Sequence, residues 1–121
     1  MIHAASEQRV SEQDMEQLTA LFRLLSDRTR LNILLLLADG ERNVTNLCNA
    51  LKLPQPTVSH HLGLLRMNNI IGCRRNGKQV FYGMNGRVDI PVDGTALEIG
   101  VEKFTVRIAR KSAEPIGSVA T

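Results

Sequence analysis

The spacing of apolar residues changes several times along this chain, and each change marks an element. Met15, Leu18, Leu21, Phe22 and Leu25 recur at helical intervals behind Ser11 and Asp14, which have the spacing of a capping box, so a first helix is predicted up to about Leu25. Ser26 or Asp27 can cap a second helix, in which Leu31, Ile33, Leu34, Leu35, Leu36 and Leu37 leave almost no polar side. Such a helix belongs at the centre of a core. Gly40, just past Asp39, suits a left-handed helix stop. Asn43 or Thr45 opens a short third helix through Leu47 and Leu51, and Leu53-Pro54 ends it, because the residue before a proline avoids helical torsions. Pro56 fits the first turn of a fourth helix, where its missing N–H is not needed; Val58, Leu62 and Leu65 face inward there, and Asn68-Asn69 end it.

The period then shortens. Ile70 to Asn76 and Gln79 to Met84 have β character around Asn76-Gly77, a dipeptide of tight hairpins. Beyond Arg87 two periods compete: Leu97, Val101, Phe104 and Ile108 fit a helix, whereas Leu97, Ile99 and Val101, then Phe104, Val106 and Ile108, alternate as strands do. The β-branched content, internal Gly100 and the turn-like Val101-Glu102-Lys103 favour a second hairpin over a helix. The fold class is therefore mainly α with a small β wing, a winged helix-turn-helix, with a C-terminal hairpin as the favoured reading of its end. We expect a flexible start over residues 1–10, the winged helix-turn-helix over 11–87, an extension over 88–111 and a disordered tail over 112–121.

The 121 residues suit one domain with a modest core, and with 3% aromatic residues and no Trp that core must come from Leu, Ile and Val. Net charge is only +3, but its distribution is uneven. From Arg42 to Arg87 there is no Asp or Glu, while Arg42, Lys52, Arg66, Arg74, Arg75, Lys78 and Arg87 all fall there. Clearing acids from one stretch gives it a positive field and spares it repulsion from phosphates. Gln55, Thr57, Ser59, His60 and His61, at the start of the fourth helix, can exchange hydrogen bonds with base edges or phosphates. Arg66 lies further along that helix, and Arg74, Arg75 and Lys78 flank the glycine turn, where a basic hairpin can lie on the backbone or enter a minor groove. Double-stranded DNA is the expected partner.

Several segments in the same order resemble the ArsR/SmtB family: SDRTRLNILLLL entering the second helix, TVSHHLGLLR on the fourth and GCRRNGKQVFYGM in the wing, together covering roughly Leu18 to Asn85. The resemblance implies a small homodimeric repressor that binds a two-fold operator near its own promoter and lets go when an inducer, often a metal ion, binds. The first helix, with Leu18, Leu21, Phe22 and Leu25, supplies a candidate dimer surface. Metal-sensing members of that family carry a Cys-x-Cys pattern opening the third helix, or carboxylate and His ligands on a C-terminal helix. Here Asn43 and Thr45 stand at the thiol positions, no His or Cys follows Arg87, and His3 lies in the loose start. No metal site and no cofactor are expected, and the inducer stays unnamed. Cys48 and Cys73 are both redox candidates, and either can instead be a small buried core residue; Cys73, beside the cations Arg74 and Arg75, is the better redox candidate.

No apolar run approaches the ~20 residues of a membrane span and the first residues lack a signal-peptide core, so no membrane association and a cytoplasmic location are expected. An enzyme is not expected, since there is no phosphate loop, nucleophile elbow or convergent carboxylate and His set. The alternative is a winged-helix protein-interaction module without sequence-specific DNA binding. Such a module has no need of an acid-free recognition helix and wing.

Overall fold

The computed structural model describes residues 9–118. The expected flexible start therefore lies largely outside the described residues, as do His3 and positions 119–121. Helix α1 (Glu12–Leu25) begins in a complete capping box: Ser11 Oγ accepts from Asp14 N at 3.0 Å and Asp14 Oδ2 accepts from Ser11 N at 2.9 Å. Asp27 rather than Ser26 caps α2 (Arg28–Ala38), accepting from Arg30 N at 3.0 Å. Ile33, Leu34 and Leu37 of α2 are fully or almost fully buried, the central position that its all-round apolar surface requires. Gly40 leaves this helix at φ +142°, a torsion that residues with side chains rarely adopt.

The two-residue strand β1 (Arg42–Asn43) precedes α3 (Val44–Leu51), which Asn43 caps through Asn46 N at 2.8 Å. The helix stops earlier than Leu53-Pro54. Lys52 takes left-handed torsions (φ 56°) and Leu53 N donates to Cys48 O, so a lysine supplies the turn that a proline was expected to force. Helix α4 (Gln55–Met67) follows, with Pro56 in its first turn and Val58, Leu62 and Leu65 buried. At its other end Asn69 is left-handed (φ 60°), Asn69 N donates to Arg66 O and Ile70 N to Leu65 O. These bonds form a Schellman closure, and its flanking apolar pair, Leu65 and Ile70, is wholly buried.

The wing is β2 (Ile71–Asn76) antiparallel to β3 (Gln79–Met84), with β1 on the far edge of β3. Asn76 stays in the ladder opposite Gln79, so the turn is Gly77-Lys78, with Gly77 at φ +64°. This is the gap that the expected strands left between Asn76 and Gln79, with Asn76 as the last paired residue before the turn. After Arg87 come β4 (Val88–Asp89), β5 (Ala96–Val101) and β6 (Phe104–Ala109), an antiparallel sheet in that order. Leu97, Ile99 and Val101 are buried opposite Ile108, Val106 and Phe104, so the favoured hairpin is present and the helical alternative is not. This sheet lies against α1 and joins one continuous core with α2 and α4. Lys103, in the β5–β6 turn, ties it to the cap of α1: its Nζ is 3.5 Å from Asp14 Oδ2 and donates to Arg9 O at 3.2 Å.

A disordered tail from Ser112 does not fit the described residues. Ile116 is 5% exposed and its N–H donates to Gly94 O at 2.7 Å. Gly117 lies so close to α2 that an added Cβ would come 2.5 Å from Leu35 O. Backbone cannot yield at that distance, so Gly117→Ala should expel this segment and expose Ile116. The expected loss is about 1–3 kcal/mol, read as a lower urea midpoint. A midpoint equal to the parent's would show that residues 112–118 add nothing to the core.

Candidate nucleic-acid interface

Helix α4 and the wing carry most of the expected residues, but not in equal states. Pro54 offers α4 no side-chain cap, which leaves first-turn N–H groups without a protein acceptor. Gln55, Ser59, His60 and Arg66 are exposed, and Thr57 is half-buried. His61 is turned inward. Its side chain is 13% exposed, Arg30 Nη1 lies 3.2 Å from its Nδ1, and Asp27 Oδ1 is 3.8 Å away. A guanidinium can only donate, so Nδ1 is the acceptor in this contact. Arg30 also donates through Nε to Leu24 O at 2.7 Å, which links α4 to the end of α1. Asp27 is held below the usual carboxylate range by the backbone N–H of Arg30, with the charge of the Arg30 guanidinium adding to the effect. His61 thus braces the helix against α2, while His60, one residue earlier, remains available to a ligand.

The cations of the acid-free stretch divide in a similar way. Arg42 donates to Leu36 O at 3.3 Å and Asn46 Oδ1 at 2.6 Å. Arg87 joins the end of α4 to β5, donating to Asn68 O at 2.7 Å and Gly100 O at 3.1 Å. Arg74 is paired with Glu41, whose carboxylate raises the guanidinium's pKa further. Among the described residues, Lys52, Arg66, Arg75 and Lys78 are the members of this set whose side chains keep no protein partner. The charge of the stretch was legible in the sequence. Its division between scaffold and open surface was not, because Arg42 and Arg87 are held mainly by backbone carbonyls and Arg74 by Glu41, 33 positions away.

Cys73 is exposed and Cys48 is half-buried against the core. Alternation along β2 puts Arg75 on the face of Cys73 and Arg74 on the other, where Glu41 engages it, so only one of the two expected cations shares the thiol's face. Asn43 is occupied as the α3 cap and as a donor to Gln79 Oε1 at 3.3 Å, and Thr45 is exposed. Among the described residues no three His, Cys, Asp or Glu side chains gather in a way that could hold a metal ion. No helix among them is long and apolar enough to cross a membrane.

Helix-turn-helix followed by a β wing defines the class: α3 and α4 are the paired helices, and β2 with β3 is the wing. The family described as bacterial regulatory protein, arsR family, matches residues 27–71, from the cap of α2 to the start of β2. The arsenical resistance operon repressor of Escherichia coli K12 is 45% identical over 69 residues, 56% of this chain and 59% of that protein. HlyU from Vibrio cholerae superposes with a TM-score of 0.60 at 30% identity, covering 63% of this chain and 83% of that one. The homodimeric winged helix-turn-helix DNA-binding domain of Mb0332 from Mycobacterium bovis gives 0.57 at 30%, covering 63% and 73%. This chain belongs to the ArsR family. It spans about half to three-fifths of the length of the first curated relatives it matches.

The two adjacent histidines should separate in a melt. His61→Ala removes a largely buried acceptor from a charged donor and should cost about 1–3 kcal/mol, whereas His60→Ala on the exposed face should stay within about 0.5 kcal/mol. Urea unfolding of both variants measures the difference, and equal midpoints would remove the brace.

Proposed function

We propose that this chain is a sequence-specific DNA-binding transcription regulator, a homodimeric repressor relieved by a signal that remains to be identified. The observation that carries this reading is the set of open side chains around α4 and the wing. Gln55, Ser59 and His60 are exposed at the start of α4, and Arg66, Arg75 and Lys78 add positive charge without a protein partner. Polar groups at a helix start suit base edges, and cations beside them suit phosphates. The E. coli relative, named for repression of an operon, supports the regulatory part.

A dimer follows from two considerations. One recognition helix reads only a few base pairs, so useful affinity needs two half-sites about one helical turn apart. Helix α1 also keeps an apolar face in this single chain: Met15 and Phe22 are 51% and 52% exposed, with half-buried Leu18 between them at helical spacing. Leu21 and Leu25, expected on the same surface, are instead in the chain's own core. The homodimeric state of the Mb0332 domain supports the pairing. Met15→Glu with Phe22→Glu should yield a monomer with a similar melting curve. Sedimentation of parent and variant at micromolar concentration checks this, and a parent that is already monomeric with and without operator DNA would remove the dimer.

For the wing, Arg75→Ala with Lys78→Ala should weaken binding to every duplex and flatten the dependence of log K on log salt, by about 0.9 for each phosphate that the wing no longer neutralises. His60→Ala should reduce affinity for the selected site more than for random DNA. Equal binding by the double variant and the parent across a salt series would place the wing outside the interface.

A further inference from the structure

Glu41 is the last acid before the acid-free stretch, and the fold carries it onto the wing. Arg74 Nε donates to its Oε1 at 2.8 Å and its Oε2 at 3.1 Å, and Arg74 Nη2 lies 2.8 Å from Oε1. The same guanidinium lies over the Phe81 ring, 5.1 Å from its centroid. Glu41 reaches this position by crossing Gly83 of β3, where an added Cβ would stand 3.0 Å from Glu41 Cγ. Carboxylate, guanidinium and ring therefore form one stacked group on the face of the wing opposite Cys73. Both charged side chains stay open to solvent, at 54% for Arg74 and 44% for Glu41.

A planar fork that grips a carboxylate with two nitrogens presents the geometry that a phosphate requires. It cannot grip both at once with the same nitrogens. An exposed ion pair adds little stability in water, so a phosphate oxygen can replace the carboxylate, but the displaced Glu41 then remains beside the DNA and repels it. We propose that Glu41 occupies the wing's Arg74 phosphate site in the free protein, so that Arg74 engages DNA only by exchanging this carboxylate for a backbone phosphate. The proposal rests on the DNA-binding reading above. It gives Glu41, a residue with no role in folding the wing's ladder, control over how strongly the wing is drawn to any duplex.

The test is binding of the full-length parent, Glu41→Gln, Arg74→Ala and the double variant to a random-sequence duplex across about 0.05–0.2 M salt. Removing the competitor lets Arg74 neutralise about one more phosphate. Glu41→Gln should therefore bind about five- to tenfold more tightly near 0.1 M salt, with a slope steeper by about 0.9. In the Arg74→Ala background the same change should give a clearly smaller gain, only the part that comes from relieving Glu41's repulsion of the duplex. Glu41→Gln binding no more tightly than the parent would overturn the proposal, as would a gain of equal size without Arg74, since Glu41 would then act through its charge alone. Thermal melts that match the parent exclude misfolding as the cause. A parent that shows no salt-dependent binding fails the DNA-binding reading itself, whereas a parent that binds and a Glu41→Gln variant that matches it remove only this exchange.

Discussion

Ile33, Leu34 and Leu37 leave water on a single helix, and the remaining elements take their places by covering that surface. Val58, Leu62 and Leu65 of α4, Leu47 of α3 and Leu21 and Leu25 of α1 join it in one core, which Leu97, Ile99 and Val101 of β5 extend from the side of α1. Each buried side chain of this size contributes about 1.5–3 kcal/mol, so the three on α4 outweigh the single hydrogen bond between Arg30 and His61 several times over. Packing therefore decides that α4 lies on α2. The polar brace decides something smaller: apolar contacts tolerate rotation about a helix axis, and a directional bond from Arg30 to His61 Nδ1 does not.

The Schellman closure of α4 passes that placement on to the wing. Leu65 and Ile70 are anchored in the core on either side of left-handed Asn69, so only Asn68, Asn69 and Ile70 separate α4 from the start of β2 at Ile71. Wing and helix consequently share one rigid frame, and the positions of Arg75 and Lys78 relative to His60 are set by core residues rather than by contacts among the polar groups. Asn69 can take these torsions because a short amide side chain tolerates the left-handed region. A β-branched residue there would strain the joint between the two parts of the candidate interface.

Helices and the C-terminal hairpin were readable from the sequence because each follows from a local period. Leu97, Ile99 and Val101 alternate over a stretch that a helix would have needed to bury differently, and the cap residues Ser11, Asp27 and Asn43 each act within three positions. What escaped the reading depends on distance along the chain. His61 looked equivalent to His60 until Arg30, 31 positions earlier, was brought against it. Arg74 looked free because Glu41 is 33 positions away and just outside the acid-free run. Ile116 sits in a segment whose composition, SAEPIGS, has too few apolar groups to show a period, yet one buried isoleucine and one close-packed glycine, with the Arg110 guanidinium on Glu114 and Pro115, dock it. The stop of α3 failed for a different reason: proline restricts the residue before it, but nothing prevents Lys52 from turning sooner.

The sheet of β4 to β6 extends beyond the residues matched by the family, but it is not an appendage. Its inner face fills the same core as α1 and α2, and Arg87 holds both the last carbonyl region of α4 at Asn68 and the β5 carbonyl at Gly100. A rigid shift of this sheet must break those two hydrogen bonds or carry the end of α4 with it. Because Leu65 and Ile70 are buried immediately beside that point, the second course also disturbs the closure that aims the wing. The C-terminal segment and the candidate interface are therefore mechanically joined through Arg87, whose guanidinium holds Asn68 O and Gly100 O and whose carbonyl accepts from Gly100 N, although neither contributes a side chain to the other.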